Sequence, residues 1–275
     1  MNKMNKFAKI ILYVAIIIIC ILTLLPLIWM LSASLKLDKD VFSIPIQWIP
    51  NNPQWKNYVT IWTKIPFGLF VLNTTKLTII ITVIQLFTSS FAAYGFSKCE
   101  FKGRNVLFLF YIATIAIPWQ VYMLPQYTMM NKFGLIDTHT SIILLQSFTA
   151  FGVFLIRQFY LSIPNELLEA GRIDGMSEYG IYFRIILPLS KPALSTLTIF
   201  SFVGVWNDFM GPMIYFNSES NKTIQLGIRM FISQYSADYG LIMAASVVSL
   251  IPVFIIFIAF QRFFVEGVAA SGLKG

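Results

Sequence analysis

Charge is what this sequence has least of. Asp, Glu, Lys and Arg make up 12% of its 275 residues, about half the ~25% of an ordinary soluble domain. So few charges cannot cover a water-facing surface, and a hydrophobic content of 57% excludes disorder equally. Histidine occurs once, at His139, and cysteine twice, Cys20 inside an apolar run and Cys99 in a basic stretch. Neither a disulfide framework nor a metal centre can be built from that set. No G-x-x-x-x-G-K-[ST] run occurs, which excludes a phosphate cradle of the Walker type. A nucleophile–base pair and paired buried carboxylates are also missing, so a membrane-embedded enzyme finds no support.

What remains is an integral membrane protein with a mean hydropathy of +0.74. The net charge is +8, but the basic residues stand singly or in small clusters between apolar runs. That placement fits membrane topology and not a nucleic-acid groove. Six runs approach the ~20 apolar residues that cross a bilayer as a helix: Phe7–Leu31, Leu69–Ala93, Val106–Pro125, Ser141–Tyr160, Ala193–Phe216 and Leu241–Phe264. Pro118, Pro125 and Gly152 interrupt the third and fourth, and the prolines predict kinks, which membrane helices tolerate.

Lys3, Lys6 and Lys9 ahead of the first run imitate a signal peptide. The run is longer than the roughly 7–15 apolar residues of a signal core, so a retained anchor is expected. Six spans put both termini on one side. Twelve of the twenty basic residues then share that side, in juxtamembrane groups such as Lys98, Lys102 and Arg104, and Arg172, Arg184 and Lys191. The bias is moderate and predicts both termini in the cytoplasm.

The connections divide by character. The external stretch Ser32–Gly68, with Pro45, Pro50, Pro53 and Pro66, reads as a folded cap or a docking surface. The internal stretch 161–191 carries helix signals of its own. Pro164 suits a first helical turn, Glu166 and Glu169 suit the positive end of a helix, and Gly175 supplies a stop. Ser177 then offers an N-cap for a second helix at Glu178. Residues 165–174 and the segment from Glu178 are thus predicted as a helix–turn–helix that Leu187-Pro188 closes. From spacing alone this could equally be an amphipathic hairpin lying at the interface.

Glu169-Ala170-Gly171-Arg172-Ile173-Asp174-Gly175, followed by Ile186-Leu187-Pro188, resembles the EAA loop of binding-protein-dependent ABC importer permeases. Gly171 departs from the usual Ala by one methyl, and Met176 stands where a small residue is common. Ala92-Ala93-Tyr94-Gly95-Phe96 with Phe101-Lys102-Gly103-Arg104-Asn105, and Gly134-Leu135-Ile136-Asp137-Thr138, extend the resemblance across the chain. Asn52-Pro53-Gln54-Trp55-Lys56-Asn57-Tyr58, Trp206-Asn207-Asp208-Phe209 and the tail from Gly267 to Gly275 resemble the maltose/multiple-sugar branch.

The resemblance implies an all-α, six-span permease subunit of the type I ABC importer fold, in a bacterial inner (cytoplasmic) membrane. Its expected parts are an N-terminal helix and external loop at 1–68, a five-helix core at 69–265 and a cytoplasmic tail at 266–275. It implies as partners a homologous second permease, two ATPase subunits that bind ATP and magnesium, and an external sugar-binding protein. No cofactor belongs to this chain. Glu169, Ala170, Gly171 and Arg172 would form a lever seated in the ATPase, Asp174 and Gly175 its turn, and Leu187 and Pro188 its anchor to the fifth span. The resemblance also implies that the tail reaches between the ATPase subunits.

A sugar path needs aromatic faces and a few amides or carboxylates. Trp206, Asn207, Asp208 and Tyr215 supply such a set, with Gly204 and Gly211 permitting close approach; Gln120, Tyr122 and Gln85 are further candidates. Asn207 or Asp208 could instead bond the partner permease. Among rival cargoes, glycerol phosphate would call for Arg or Lys in the path, and the predicted span cores hold none. An ion-coupled carrier would place several acids deep in its spans, where this chain offers little beyond Asp208.

Overall fold

A computed structural model describes residues 6–233 and 236–272, and of residues 263–272 the backbone alone. Lys3 and the side chains of the tail lie outside the described residues. Among these residues the fold is helical throughout, with one isolated bridge between Ile232 and Ala237 and no strand. In chain order the helices are α1 (Lys6–Ser34), α2 (Asp38–Val41), α3 (Lys56–Lys64), α4 (Phe67–Lys98), α5 (Arg104–Ala113), α6 (Trp119–Lys132), α7 (His139–Gln146) and α8 (Ala150–Leu161). There follow α9 (Glu166–Ile173), α10 (Glu178–Ile181), α11 (Leu187–Leu189), α12 (Lys191–Trp206), α13 (Met210–Tyr215), α14 (Ile224–Arg229) and α15 (Tyr239–Gly272).

Four stretches are long and apolar enough to cross a membrane: Lys6–Ser34, Phe67–Lys98, His139–Leu161 and Tyr239–Arg262. Two bent pairs make six if each counts as one span. The pair Arg104–Ala116 with Trp119–Lys132 bends by 97°. Its cause is local: Ile117, held extended at φ −87°, ψ 111°, precedes Pro118, and a residue before proline avoids the helical region. Pro125, by contrast, sits inside α6. The pair Glu178–Leu189 with Lys191–Trp206 bends by 76° between Pro188 and Pro192.

Two expected continuous runs are divided in the structure. The run Ala193–Phe216 stops at Trp206 and resumes as α13, because the Asp208 carboxylate accepts the Gly211 N–H at 3.1 Å and caps a new start. The run Ser141–Tyr160 breaks after Gln146, where Thr149 accepts the Gly152 N–H at 3.3 Å. Gly152 is thus no interruption. It packs so closely that a β-carbon there would strike the Ser89 hydroxyl and the Thr149 methyl.

The chain forms two compact units, one of Met1–Gly68 with Gly227–Ile251 and the other of Leu69–Leu226 with the chain from Pro252 onward. Within the first, Asn57 donates to the Ser34 and Lys36 carbonyls, and Asp38 accepts the Gly240 N–H at 2.8 Å. Within the second, one core joins Tyr94, Ile156, Tyr160, Leu168, Ile181, Tyr182 and Ile186. Another joins Leu77, Ile81, Met130, Ile142, Tyr215 and Phe216.

Candidate functional site

Two features of the second unit hold most of the site residues expected from sequence. The first is the helix–turn–helix of α9 and α10. Helix α9 closes with Gly175 at φ +76°, a left-handed conformation that glycine adopts without strain. The Met176 N–H reaches the Gly171 carbonyl at 2.9 Å and the Gly175 N–H reaches Arg172 at 3.0 Å, which is the paired bonding of a Schellman turn. Asp174 is the C-cap, its N–H on the Ala170 carbonyl. Ser177 accepts the Gly180 N–H at 3.2 Å and starts α10. Between α10 and α11 the helix widens into a π-turn over Tyr182–Ile186, next to Pro188, which has no N–H to donate.

Helix α9 is amphipathic. Leu168 and Gly171 are buried, whereas Glu169, Ala170 and Arg172 are exposed. A β-carbon on Gly171 would come within 3.0 Å of the Ile185 side chain and 3.3 Å of Ile181. Glu169 therefore faces outward from a surface pinned underneath. Arg172, exposed as well, is tied down: its Nε donates to Glu178 Oε1 at 2.8 Å, and the other oxygen of Glu178 accepts from the Tyr94 hydroxyl at 2.6 Å. Both oxygens of the Glu178 carboxylate are thus satisfied, by Arg172 and by Tyr94. Glu178 thus ties α9 and α10 to α4, while Lys98 on α4 donates to the Ile163 carbonyl and the Asn165 side chain. A polar cleft of about 610 Å³ opens here between Glu100, Arg104, Asn165, Glu169 and Arg172. Burial pushes the Cys99 thiol beside it upward, which makes it a poor nucleophile.

The second feature is a cleft of about 540 Å³. Its polar wall is the junction of the two helix breaks. Asp208 Oδ2 accepts from Gln146 Nε2 at 2.7 Å, and the Gln146 carbonyl accepts from Gln85 Nε2 at 2.6 Å. The lining also includes Trp119, Tyr122, Phe148, Phe151 and Phe200, with the Trp119 indole donating to Gln126 at 2.9 Å.

Of the path residues expected from sequence, Asp208, Tyr215, Tyr122 and Gln85 meet in this cleft, with Tyr215 1% exposed in its wall. Trp206, Asn207 and Gln120 are not part of its lining. Trp206 is buried and stacked on Phe202 at 5.6 Å between centroids. Asn207 accepts from Gln225 at 3.2 Å and donates to the Val203 carbonyl. Sequence reasoning passed over Gln146, Trp119, Gln126 and Phe151, which no motif marks, and gave Glu178 no role beyond starting a helix.

These features coincide with a known family. Residues 85–269 match the family described as binding-protein-dependent transport system inner membrane component. The chain is 34% identical over 262 residues to the arabinooligosaccharides transport system permease protein AraQ of Halalkalibacterium halodurans, covering 94% of this chain and 93% of the relative. It is also 34% identical over 268 residues to the sn-glycerol-3-phosphate transport system permease protein UgpE of Yersinia pestis, covering 94% and 95%. A crystal structure of a bacterial ABC transporter involved in import of the acidic polysaccharide alginate shares the fold, with a TM-score of 0.83, 23% identity, and 96% of this chain and 100% of that chain covered. The chain belongs to the family of inner-membrane components of binding-protein-dependent ABC transport systems and is a multi-pass permease subunit.

Proposed function

We propose that this permease subunit forms half of the path of an ATP-driven sugar importer whose cargo is an oligosaccharide. The observation that carries this reading is the lining of the aromatic cleft of about 540 Å³. Trp119, Tyr122, Phe148, Phe151 and Phe200 share this lining with Gln85, Gln126, Gln146 and Asp208, and the described lining holds no Lys, Arg or His. Aromatic rings stack on sugar faces, and amides and a carboxylate bond hydroxyls. A phosphate would meet Asp208 and no cation. The similarity to an arabinooligosaccharide permease supports the sugar reading; that to a glycerol-3-phosphate permease, at equal identity, makes a phosphate ester the alternative cargo.

In this reading the two bent pairs each count as one span, giving six with both termini in the cytoplasm of a bacterial cell. Helix α9 is the coupling helix. Its exposed Glu169 and Ala170 seat in an ATPase subunit, and the buried Gly171 side keeps the lever rigid against Ile181 and Ile185. Arg172 serves the lever from within, through Glu178. Asp174 and Gly175 hold its turn, and Leu187 and Pro188 pass its motion to α12. The partners are a second homologous permease, two ATPase subunits that bind ATP and magnesium, and an external binding protein that delivers the sugar.

The test is ATPase activity of the assembled complex in liposomes, screened over sugars with the binding protein present. Stimulation by an oligosaccharide is expected. A response to glycerol phosphate alone would keep the machine and overturn the cargo. Glu169→Lys should abolish uptake while the protein still inserts and assembles, and wild-type uptake in that variant would sink the coupling role.

A further inference from the structure

The external loop of the first unit exposes apolar side chains where a soluble loop would expose charge. From Phe42 to Trp55 there is no charged residue. Ile44 is 95% exposed, Ile46 55% and Ile49 84%, with Trp48 and Trp55 also exposed. Single exposed apolar residues are ordinary, but a contiguous group of them marks a surface that something covers.

The loop's attachments to α1 fix its height. The Phe42 ring lies 5.8 Å from the ring of Trp29. The Ser32 hydroxyl donates to the Gln47 carbonyl at 3.3 Å, and the Gln54 N–H donates to the Leu35 carbonyl at 2.8 Å. Lys9 is the last basic residue before the apolar stretch of α1. Twenty residues of helix, at ~1.5 Å each, carry the chain from Lys9 to Trp29, roughly the ~30 Å of a hydrocarbon core. The level of Trp29 is therefore the far edge of that core, and Ser32 and Leu35 lie in the headgroup layer above it. Two extended residues span at most about 7 Å. Ile44, two residues from Phe42, and Ile49, two from Gln47, therefore stay near those levels.

We propose that Phe42–Trp55 is an interfacial wedge that rests in the bilayer leaflet at the Ser34 end of α1, with Ile44, Ile46 and Ile49 in the boundary between headgroups and acyl chains. Trp48 and Trp55 take the place that amphipathic rings occupy at such interfaces. Asn51 and Asn52 form the exposed polar edge, facing water. The wedge continues the lipid-exposed surface of α1, whose residues from Phe7 to Leu24 are all exposed. It fixes the depth and rotation of that helix. The inference requires that α1 crosses the bilayer and is independent of cargo and of which side is outside.

The test uses the assembled transporter in vesicles of phosphatidylcholine and phosphatidylglycerol, with Cys20→Ser and Cys99→Ser as background. Single cysteines replacing Ile44, Ile49, Asn52 or Ile16 are spin-labelled, and their collisions with oxygen and with a water-soluble nickel chelate are compared. Oxygen should dominate at 44 and 49, and the ratio should reverse at 52. Dominance of the chelate at 44 and 49 would overturn the proposal, because the loop would then stand in water. Suppression of both reagents with an immobilised spectrum would overturn it as well, because a protein partner would be the cover. Label at 16 on α1 must report oxygen in every case; if it does not, α1 does not span and the wedge falls with that reading, a failure distinct from chelate dominance at 44 and 49 alone.

Discussion

Gly171 offers the sharpest test of how α9 is seated. It lies inside α9 where an alanine would raise helix propensity by about 0.8–1 kcal/mol, yet the new methyl would stand 3.0 Å from Ile185 Cδ1 and 3.3 Å from Ile181 Cγ1. Ordinary carbon contacts are about 3.5–4.0 Å, so Ile185 must move. Its Cδ1 is the end of a flexible chain, and displacing it off its rotamer costs about 0.5–1.5 kcal/mol. The two effects nearly cancel, and Gly171→Ala alone should be within about 1 kcal/mol of wild type. The clash shows in the pair. Ile185→Val alone should cost about 0.5–1.5 kcal/mol, but it deletes the very atom that the alanine strikes. The double variant should therefore exceed the sum of the singles by about 1 kcal/mol, or about 2–4 °C in melting temperature for a chain of this size. Thermal unfolding of all four proteins in one detergent measures it. Strict additivity would refute the packing argument, and a loss well above 1 kcal/mol in the single variant would show a seat too rigid to yield. Sugar-stimulated ATPase should survive in each, since Glu169 is untouched.

Three further outcomes follow from hydrogen bonds. Asp208→Leu leaves Gln146 Nε2 and the Gly211 N–H without their acceptors, at about 1–3 kcal/mol per orphaned donor, so it should lower thermal stability clearly, while Asp208→Asn, which keeps one acceptor oxygen for the two donors, should lose less than Asp208→Leu. In the turn after α6 the Asp137 carboxylate accepts the Ser218 hydroxyl and N–H, the Asn221 amide and the Asn217 N–H, bonds that hold its carboxyl well below the usual range. A depressed folded value means that its stabilisation is complete above the unfolded carboxylate value of about 3.9 and fades as pH falls through the folded one; hydrogen exchange at amides 217 and 218 should stay slow down to about pH 4 and should quicken at every pH in Asp137→Ala. The pair of Glu178 with Arg172 is about half exposed, so Glu178→Gln should cost only about 0–1 kcal/mol in thermal unfolding, and a much larger loss would show that the bond to Tyr94 dominates.

What the sequence disclosed and what it concealed divide by the range of the interactions. The helix–turn–helix was legible nearly residue by residue, because its signals are local: Ser177 caps the turn that follows it, and Gly175 takes a backbone conformation its neighbours could not take cheaply. The bend at Pro118 was legible for the same reason. The breaks after Gln146 and Trp206 were not, since hydropathy averages over a window and both stretches stay apolar throughout. Those breaks support each other across the fold. The Gln146 side chain binds Asp208, 62 residues away, and its own carbonyl, freed at the end of α7, is taken by Gln85, 61 residues away. A free carbonyl in hydrocarbon must find a donor, so each break could persist only where the other elements supplied one. Trp206 shows the same limit: composition names an aromatic ring but not its face, and this one stacks on Phe202 inside the protein. Glu178 was hidden because one of its two partners, Tyr94, is 84 residues away. The polar groups that shape this permease are thus those whose partners lie on other helices, and only the packing of those helices makes their pairing visible.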